Sequence, residues 1–292
     1  MDDWQQQSQL LQQGDTKALA RTISLVENEV EGYELFMQSL PQNSSSKIIG
    51  ITGPPGAGKS TLTDALIELL IKENKKIGVL CVDPSSPFNF GSLLGDRIRM
   101  SEWFNNQNVF IRSLATRGSL GGLHPKIIEI SDVMKAAGFD YIIIETVGVG
   151  QSEVEIAGLA DVTVVVLVPE GGDVIQTMKA GLMEIADIFV VNKSDRPDAD
   201  TYTNNLKMML APVFNSKQQV PIVKTIASEK KGVEELKEKI FAHNFSDDEK
   251  KLHLLAEKAF QLIQHKKMKS ISKEELYQQL KQVSLYQLID KY

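Results

Sequence analysis

The chain has 292 residues, 42% of them hydrophobic, and 32 Lys and Arg against 38 Asp and Glu set a formal net charge of −6. That size and apolar content suit one large domain with appendages or two modest ones, and the acidic balance argues against nucleic acid as a partner, because a phosphate backbone demands a dense basic face. A single Cys81 excludes an internal disulfide and reads as a small buried hydrophobe, and no apolar stretch has the length of a bilayer span or the pattern of a secretory leader, so the expected setting is cytoplasmic, with no membrane contact.

Along residues 1–46, Leu10, Leu11, Leu19, Ile23, Leu25 and Val26 recur at helical spacing and predict an N-terminal helical arm, closed by the polar linker Gln42-Asn43-Ser44-Ser45-Ser46. Over 47–242, strand-like runs alternate with helical patterns: Lys47–Thr52, Lys76–Val82, Val109–Ser113, Tyr141–Thr146, Val162–Val168, Ile188–Asn192 and Gln219–Thr225. Nearly continuous hydrophobicity within such runs implies a sheet covered on both faces, so the fold class is α/β, a predominantly parallel sheet flanked by helices. Residues 243–292 read as a polar C-terminal helical arm, with Leu252, Leu254, Leu255, Phe260, Leu262 and Ile263 on its apolar positions. So little apolar surface cannot fold alone, so this arm is expected to lie on the domain or on another chain.

The first strand runs into Gly53-Pro54-Pro55-Gly56-Ala57-Gly58-Lys59-Ser60-Thr61, a match to G-x-x-x-x-G-K-[ST] between a strand and a helix, Lys59 to Glu73. The glycines let the backbone wrap around an anion, and the helix start adds unpaired N–H groups and a positive dipole end. Lys59 is expected to reach the β- and γ-phosphates of a nucleotide and Ser60 to sit on Mg²⁺. At another strand end, Asn192-Lys193-Ser194-Asp195 reads as a guanine reader: the Asp195 carboxylate accepts from N1–H and the exocyclic amine, a pattern adenine lacks, so GTP is favoured over ATP. Ile226-Ala227-Ser228 follows the last strand, with the Ala227 amide a candidate for the guanine carbonyl.

Three acids complete the candidate site. Glu145 ends a strand before Thr146-Val147-Gly148, where it would hold a Mg²⁺-bound water and the Gly148 amide would meet the γ-phosphate. Asp83 ends the second strand and is read as positioning the attacking water or Mg²⁺, and Asp96, in Gly95-Asp96-Arg97, as a metal-linked acid of a nucleotide-sensing segment. Arg97, Arg99, Arg112 and Arg117 are candidates for charge stabilisation. Val149 stands where some GTPases carry a water-orienting Gln, so slow basal turnover is expected.

These stretches resemble the MeaB/ArgK-type GTPases, also called methylmalonyl-CoA mutase-associated GTPases. The resemblance rests on Gly14 to Arg21, Ile23 to Asn28, Gly53 to Thr61, Val82 to Ser86, Gly95 to Arg97, Ala115 to Gly122, Glu145 to Glu153, Gly181 to Asp187 and Asn192 to Asp195. It implies a P-loop GTPase fold of the SIMIBI type with helical extensions, a homodimer, and an adenosylcobalamin-dependent acyl-CoA mutase as partner, the corrin belonging to that enzyme. It further implies that GTP binding and hydrolysis to GDP gate cofactor loading and protection, with Gln151 and Asp173 in segments resembling the mobile switches. Phe90 and Glu170 depart from usual glycines of the family. Three other readings use the same loop, one of them a pure scaffold in which the nucleotide is structural. A metallochaperone GTPase would carry clustered metal ligands, whereas the histidines here are scattered at 124, 243, 253 and 265; a kinase linked to amino-acid transport would need ATP, against the guanine reader.

Overall fold

The computed structural model describes residues 2–41, 45–83, 100–116, 123–148, 155–169, 182–210, 220–243, 248–268 and 270–292. Asp96, Gln151 and Asp173, together with Phe90, Arg97, Arg99, Arg117, Val149 and Glu170, lie outside the described residues. The chain divides into two compact units, Met1–Ser246 and Asp247–Tyr292.

The first unit opens with helices α1 (Asp2–Gln12), α2 (Thr16–Glu27) and α3 (Tyr33–Ser39). Asp15 starts α2 as an N-cap, accepting from the Ala18 amide at 2.8 Å. The arm is pinned together by Trp4, which stacks on Phe36 with ring centroids 4.7 Å apart and donates its indole N–H to the Glu31 carbonyl at 2.8 Å.

Among the described residues, β1 (Lys47–Thr52), β2 (Ile77–Asp83), β3 (Val109–Ala115), β4 (Tyr141–Glu145), β5 (Val162–Leu167), β6 (Ile188–Val191) and β7 (Ile222–Lys224) form one sheet, in the order β3-β2-β4-β1-β5-β6-β7. Every pairing is parallel. The central strands are buried on both faces, which is why they read as nearly continuous apolar runs. On one face Ile49, Ile51, Val79, Ile143, Val164 and Val190 pack with Leu62, Leu66 and Leu70 of α4 (Lys59–Lys72) and with Leu236 and Ile240 of α8 (Val233–Ala242). On the other, Val165, Leu167, Phe189 and Val191 pack with Leu182 and Met183 of α6 (Leu182–Ile185) and with Tyr202, Leu206 and Leu210 of α7 (Ala199–Leu210). Helix α5 (Ile127–Ala136) packs against α2. Cys81 is buried in the first core, the role expected of it.

Strand ends differ from the sequence reading by one to three residues. The second begins at Ile77 instead of Lys76, because Lys76 is exposed and hands its amide to Asp140 Oδ2 at 2.7 Å. The third continues through Ala115, paired with Asp83, although Arg112 and Ser113 interrupt the apolar pattern. The last is shorter, Ile222–Lys224.

The second unit carries α9 (Asp248–Met268), α10 (Lys273–Leu280) and α11 (Leu285–Ile289). Ser272 and Ser284 cap the last two, the latter through a full capping box with Gln287. No described helix is long and apolar enough to cross a membrane.

Candidate nucleotide site

The parallel order places the C-terminal ends of β1, β4 and β2 side by side, with β1 in register beside β4 (Ile51 with Glu145) and β4 beside β2 (Glu145 with Cys81). A ligand at this edge meets the loops that leave those strands. The Gly53–Thr61 loop leaves β1 and turns into α4 through Gly58, held at φ 87. A Cβ at Gly58 would collide with the Asn192 amide group, so both the left-handed turn and the neighbour demand glycine there.

Lys59 and Ser60 are both 6% exposed. The Lys59 ammonium folds back on its own loop, donating to the Gly53 carbonyl at 2.9 Å and the Pro54 carbonyl at 3.1 Å. Those carbonyls fix a cation at the mouth of the loop, poised to turn to an anion. The Ser60 hydroxyl donates to Glu145 Oε1 at 2.6 Å, and Thr63, one helical turn on, donates to Oε2 at 3.1 Å. Glu145 is 3% exposed. A hydroxyl and a carboxylate gathered this way are the hard oxygen donors that suit Mg²⁺, so the residues fit that ion. Beyond Glu145, the Thr146 hydroxyl lies 2.9 Å from that of Thr52, and the Thr146 amide donates to Ile51 O at 3.0 Å, so the β1–β4 seam continues past the strand ends.

Gly148 stands against the phosphate loop. At φ 83, a Cβ there would sit 2.5 Å from both the Gly53 carbonyl oxygen and Lys59 Nζ. Asp83 is buried at the end of β2, and its carbonyl accepts from the Thr116 amide at 3.0 Å.

Asn192 ties the two halves of the site together. Its Nδ2 donates to the Ala57 carbonyl of the phosphate loop at 2.8 Å, while Oδ1 accepts from Thr225 Oγ1 at 2.9 Å and from the Ala227 amide at 3.1 Å. One buried amide thus spans the phosphate loop and the segment after β7. Lys193 follows at φ 55, a left-handed backbone uncommon for a residue with a side chain. The Ser194 amide donates to the Thr225 carbonyl at 3.0 Å, locking the two strand exits. Asp195 is exposed, and the Ala227 amide is engaged by Asn192, so a base carbonyl would have to share or replace that bond. Ile226 precedes the turn Ala227–Glu229, which also carries Ser228.

A family model described as methylmalonyl Co-A mutase-associated GTPase MeaB matches residues 19–284. The chain belongs to this family. It is a P-loop GTPase, as its relatives are named: a GTPase of Pyrococcus abyssi is 49% identical over 238 residues, 80% of this chain and 74% of its own length. The GTPase ArgK of Escherichia coli is 42% identical over 199 residues, 66% of this chain and 59% of its own. In fold, the crystal structure of LAO/AO transport system kinase superposes with a TM-score of 0.69 at 24% identity, covering 100% of this chain and 96% of that one.

Within this GTPase the structure gathers Gly53 to Thr61, Glu145, Gly148, Asn192 and Ala227 through direct contacts, and sets Asp83 on the same sheet edge. Arg112 is drawn elsewhere, to Glu27 of the N-terminal arm. Two features escaped the sequence reading. Thr63 is the second hydroxyl on Glu145, signalled only by its i+3 spacing from Ser60 on α4. Asn192 acts as a tie between loops, and nothing local in sequence marks Ala57 as its partner, 135 residues away.

Proposed function

We propose that this GTPase couples its nucleotide state to the loading and protection of adenosylcobalamin on an acyl-CoA mutase such as methylmalonyl-CoA mutase. The observation that carries the reading is the family match across residues 19–284, whose description names that association. In this reading the amides of Gly53 to Thr61 and the Lys59 ammonium hold the β- and γ-phosphates, and Asp195 selects guanine with Asn192, Lys193 and the Ile226 to Ser228 turn supporting the base. Ser60 and Glu145, with Asp83 and Asp96, would hold Mg²⁺, which neutralises charge on the phosphate oxygens when bound. Asp83 orients the water that attacks the γ-phosphorus, the bond to the bridging oxygen breaks, and GDP departs as leaving group. The Gly148 amide contacts the γ-phosphate, and its loss relaxes the segments carrying Gln151 and Asp173, which the mutase would sense. With Val149 after that glycine, unaided turnover is slow; rapid single-turnover cleavage by the isolated protein would contradict this.

The homodimer belongs to the same proposal. Helix α9 leaves Leu252, Leu255, Phe260 and Ile263 exposed at 60% or more, apolar surface that a second copy would cover. The deciding experiment is co-purification with candidate adenosylcobalamin mutases, loaded with GDP or with a non-hydrolysable GTP analogue. Nucleotide-dependent capture supports the chaperone role; no capture of any mutase in either state removes it and leaves the GTPase standing.

A further inference from the structure

Away from the nucleotide edge, buried ionisable side chains concentrate where the N-terminal arm meets β3 and α5. Glu27, the last residue of α2, lies with Oε2 3.2 Å from Arg112 Nη2 and Oε1 3.5 Å from His124 Nε2. Arg112 also donates to Ser24 Oγ at 3.1 Å. Two residues beyond Glu27, Glu29 turns at φ 50 and meets Lys126 Nζ at 2.7 Å, and the same ammonium meets Glu129 at 2.9 Å. His124 is 2% exposed and Lys126 4%. The His124 Nδ1 accepts from the Lys126 amide at 3.0 Å, while its buried Nε2 stands beside Glu27 without a hydrogen bond.

Apolar contacts alone would dock a helix with less desolvation cost than these charges, whereas ion pairs, here half-buried at Glu27 and Arg112, fix one register and direction. What they fix is specific. Arg112 sits in β3, whose last residue, Ala115, pairs with Asp83, and the next amide, Thr116, donates to the Asp83 carbonyl at 3.0 Å. His124 stands just before α5. Glu27 therefore holds the chain ahead of the β3–α5 connection through Arg112 and lies beside its far end at His124, at the strand whose end braces Asp83.

We propose that Glu27 is a positioning residue for GTP turnover: from the N-terminal arm it holds β3 through Arg112, and so sets the strand end that carries Asp83. This deepens the proposed function and rests on the role given there to Asp83. The arm is thereby part of the catalytic scaffold.

The test uses the full chain and four variants, Glu27→Ala, Glu27→Gln, Arg112→Ala and the double Glu27→Ala/Arg112→Ala, with Asp83→Ala alongside. Single-turnover GTP cleavage at saturating nucleotide and Mg²⁺ is measured with GDP affinity and thermal melting. Glu27→Ala is expected to slow cleavage about tenfold while GDP affinity stays within about twofold. Glu27→Gln, which keeps an acceptor for Arg112, loses less, and the double variant is no slower than the slower single, because both act through one contact. A Glu27→Ala protein that melts earlier yet cleaves at the wild-type rate overturns the inference, as does a double variant whose loss is the product of the singles. Asp83→Ala separates the levels: a wild-type rate there removes the role of Asp83 and this inference with it, whereas a slow Asp83→Ala beside a normal Glu27→Ala removes only Glu27.

Discussion

Replacing Asn192 by Ala tests whether one side chain holds the phosphate loop and the base-side turn in mutual register. The side chain is 2% exposed and makes three hydrogen bonds, to the Ala57 carbonyl, the Thr225 hydroxyl and the Ala227 amide. At about 1 kcal/mol net for each, their loss amounts to roughly 3 kcal/mol. The partners left behind are themselves buried, Ala57 at 0% and Thr225 at 0% exposure, which keeps the cost from falling below that sum. Because the bonds join parts of the chain itself, the loss shows first as stability: a melting temperature lower by about 6–12 °C without nucleotide. Binding then suffers through lost preorganisation, and if half the energy appears there, GDP affinity falls about tenfold. Asn192→Asp sharpens the test. It keeps an acceptor for Thr225 and Ala227 but points an oxygen at the Ala57 carbonyl, where a donor now sits at 2.8 Å. It is expected to bind nucleotide no better than Asn192→Ala despite its closer shape. Thermal melts without ligand and titration with a fluorescent GDP analogue read both effects. If Asn192→Ala weakened GDP while leaving the ligand-free melting point unchanged, Asn192 would be a base contact only, and the tie between loops would be refuted.

Other expectations follow from the same geometry. Glu145→Gln removes the carboxylate charge beside Ser60 and Thr63 and is expected to lower apparent Mg²⁺ affinity by about 10–100-fold, measured from the Mg²⁺ dependence of GTP binding; unchanged dependence would take Glu145 out of the metal site. Gly148→Ala places a methyl against Gly53 and Lys59 at a left-handed φ, and cleavage should drop at least about tenfold, with near-normal turnover counting against the tight approach. Asp195→Asn exchanges an acceptor for a donor, so discrimination for GTP over XTP should weaken by at least about a hundredfold, read by competition binding; an unaltered preference would move guanine recognition elsewhere. Burial opposes the charge on Lys126, but hydrogen bonds to Glu29 and Glu129 outweigh it and hold its pKa well above the usual lysine range. A raised folded-state pKa means this contribution is complete below the unfolded value of about 10.4 and is lost only as pH climbs through the higher folded one. The stability gap between wild type and Lys126→Met should accordingly stay flat from neutral pH to about pH 10, and a gap that closes by pH 9 in chemical denaturation would show the ammonium to be poorly paired.

The division between sequence and structure follows the range of the forces involved. Local patterns were enough for what depends on neighbours along the chain. Nearly continuous apolar runs such as Val162–Leu167, interrupted by Thr163, announced strands buried on both faces, and the glycines of Gly53 to Gly58 announced a loop wrapped around an anion, because backbone freedom and side-chain periodicity are written residue by residue. Strand ends were less legible where a polar residue still pairs, as at Arg112 and Ser113, since a ladder of backbone bonds is indifferent to side-chain polarity. Only the tertiary structure decided what distant residues do for one another: Asn192 on Ala57, Thr63 with Ser60 on Glu145, and Glu27 between Arg112 and His124. Those contacts come from strand order and register, which no local window contains, and a hydrogen bond forms only where the fold brings a donor and an acceptor to about 3 Å.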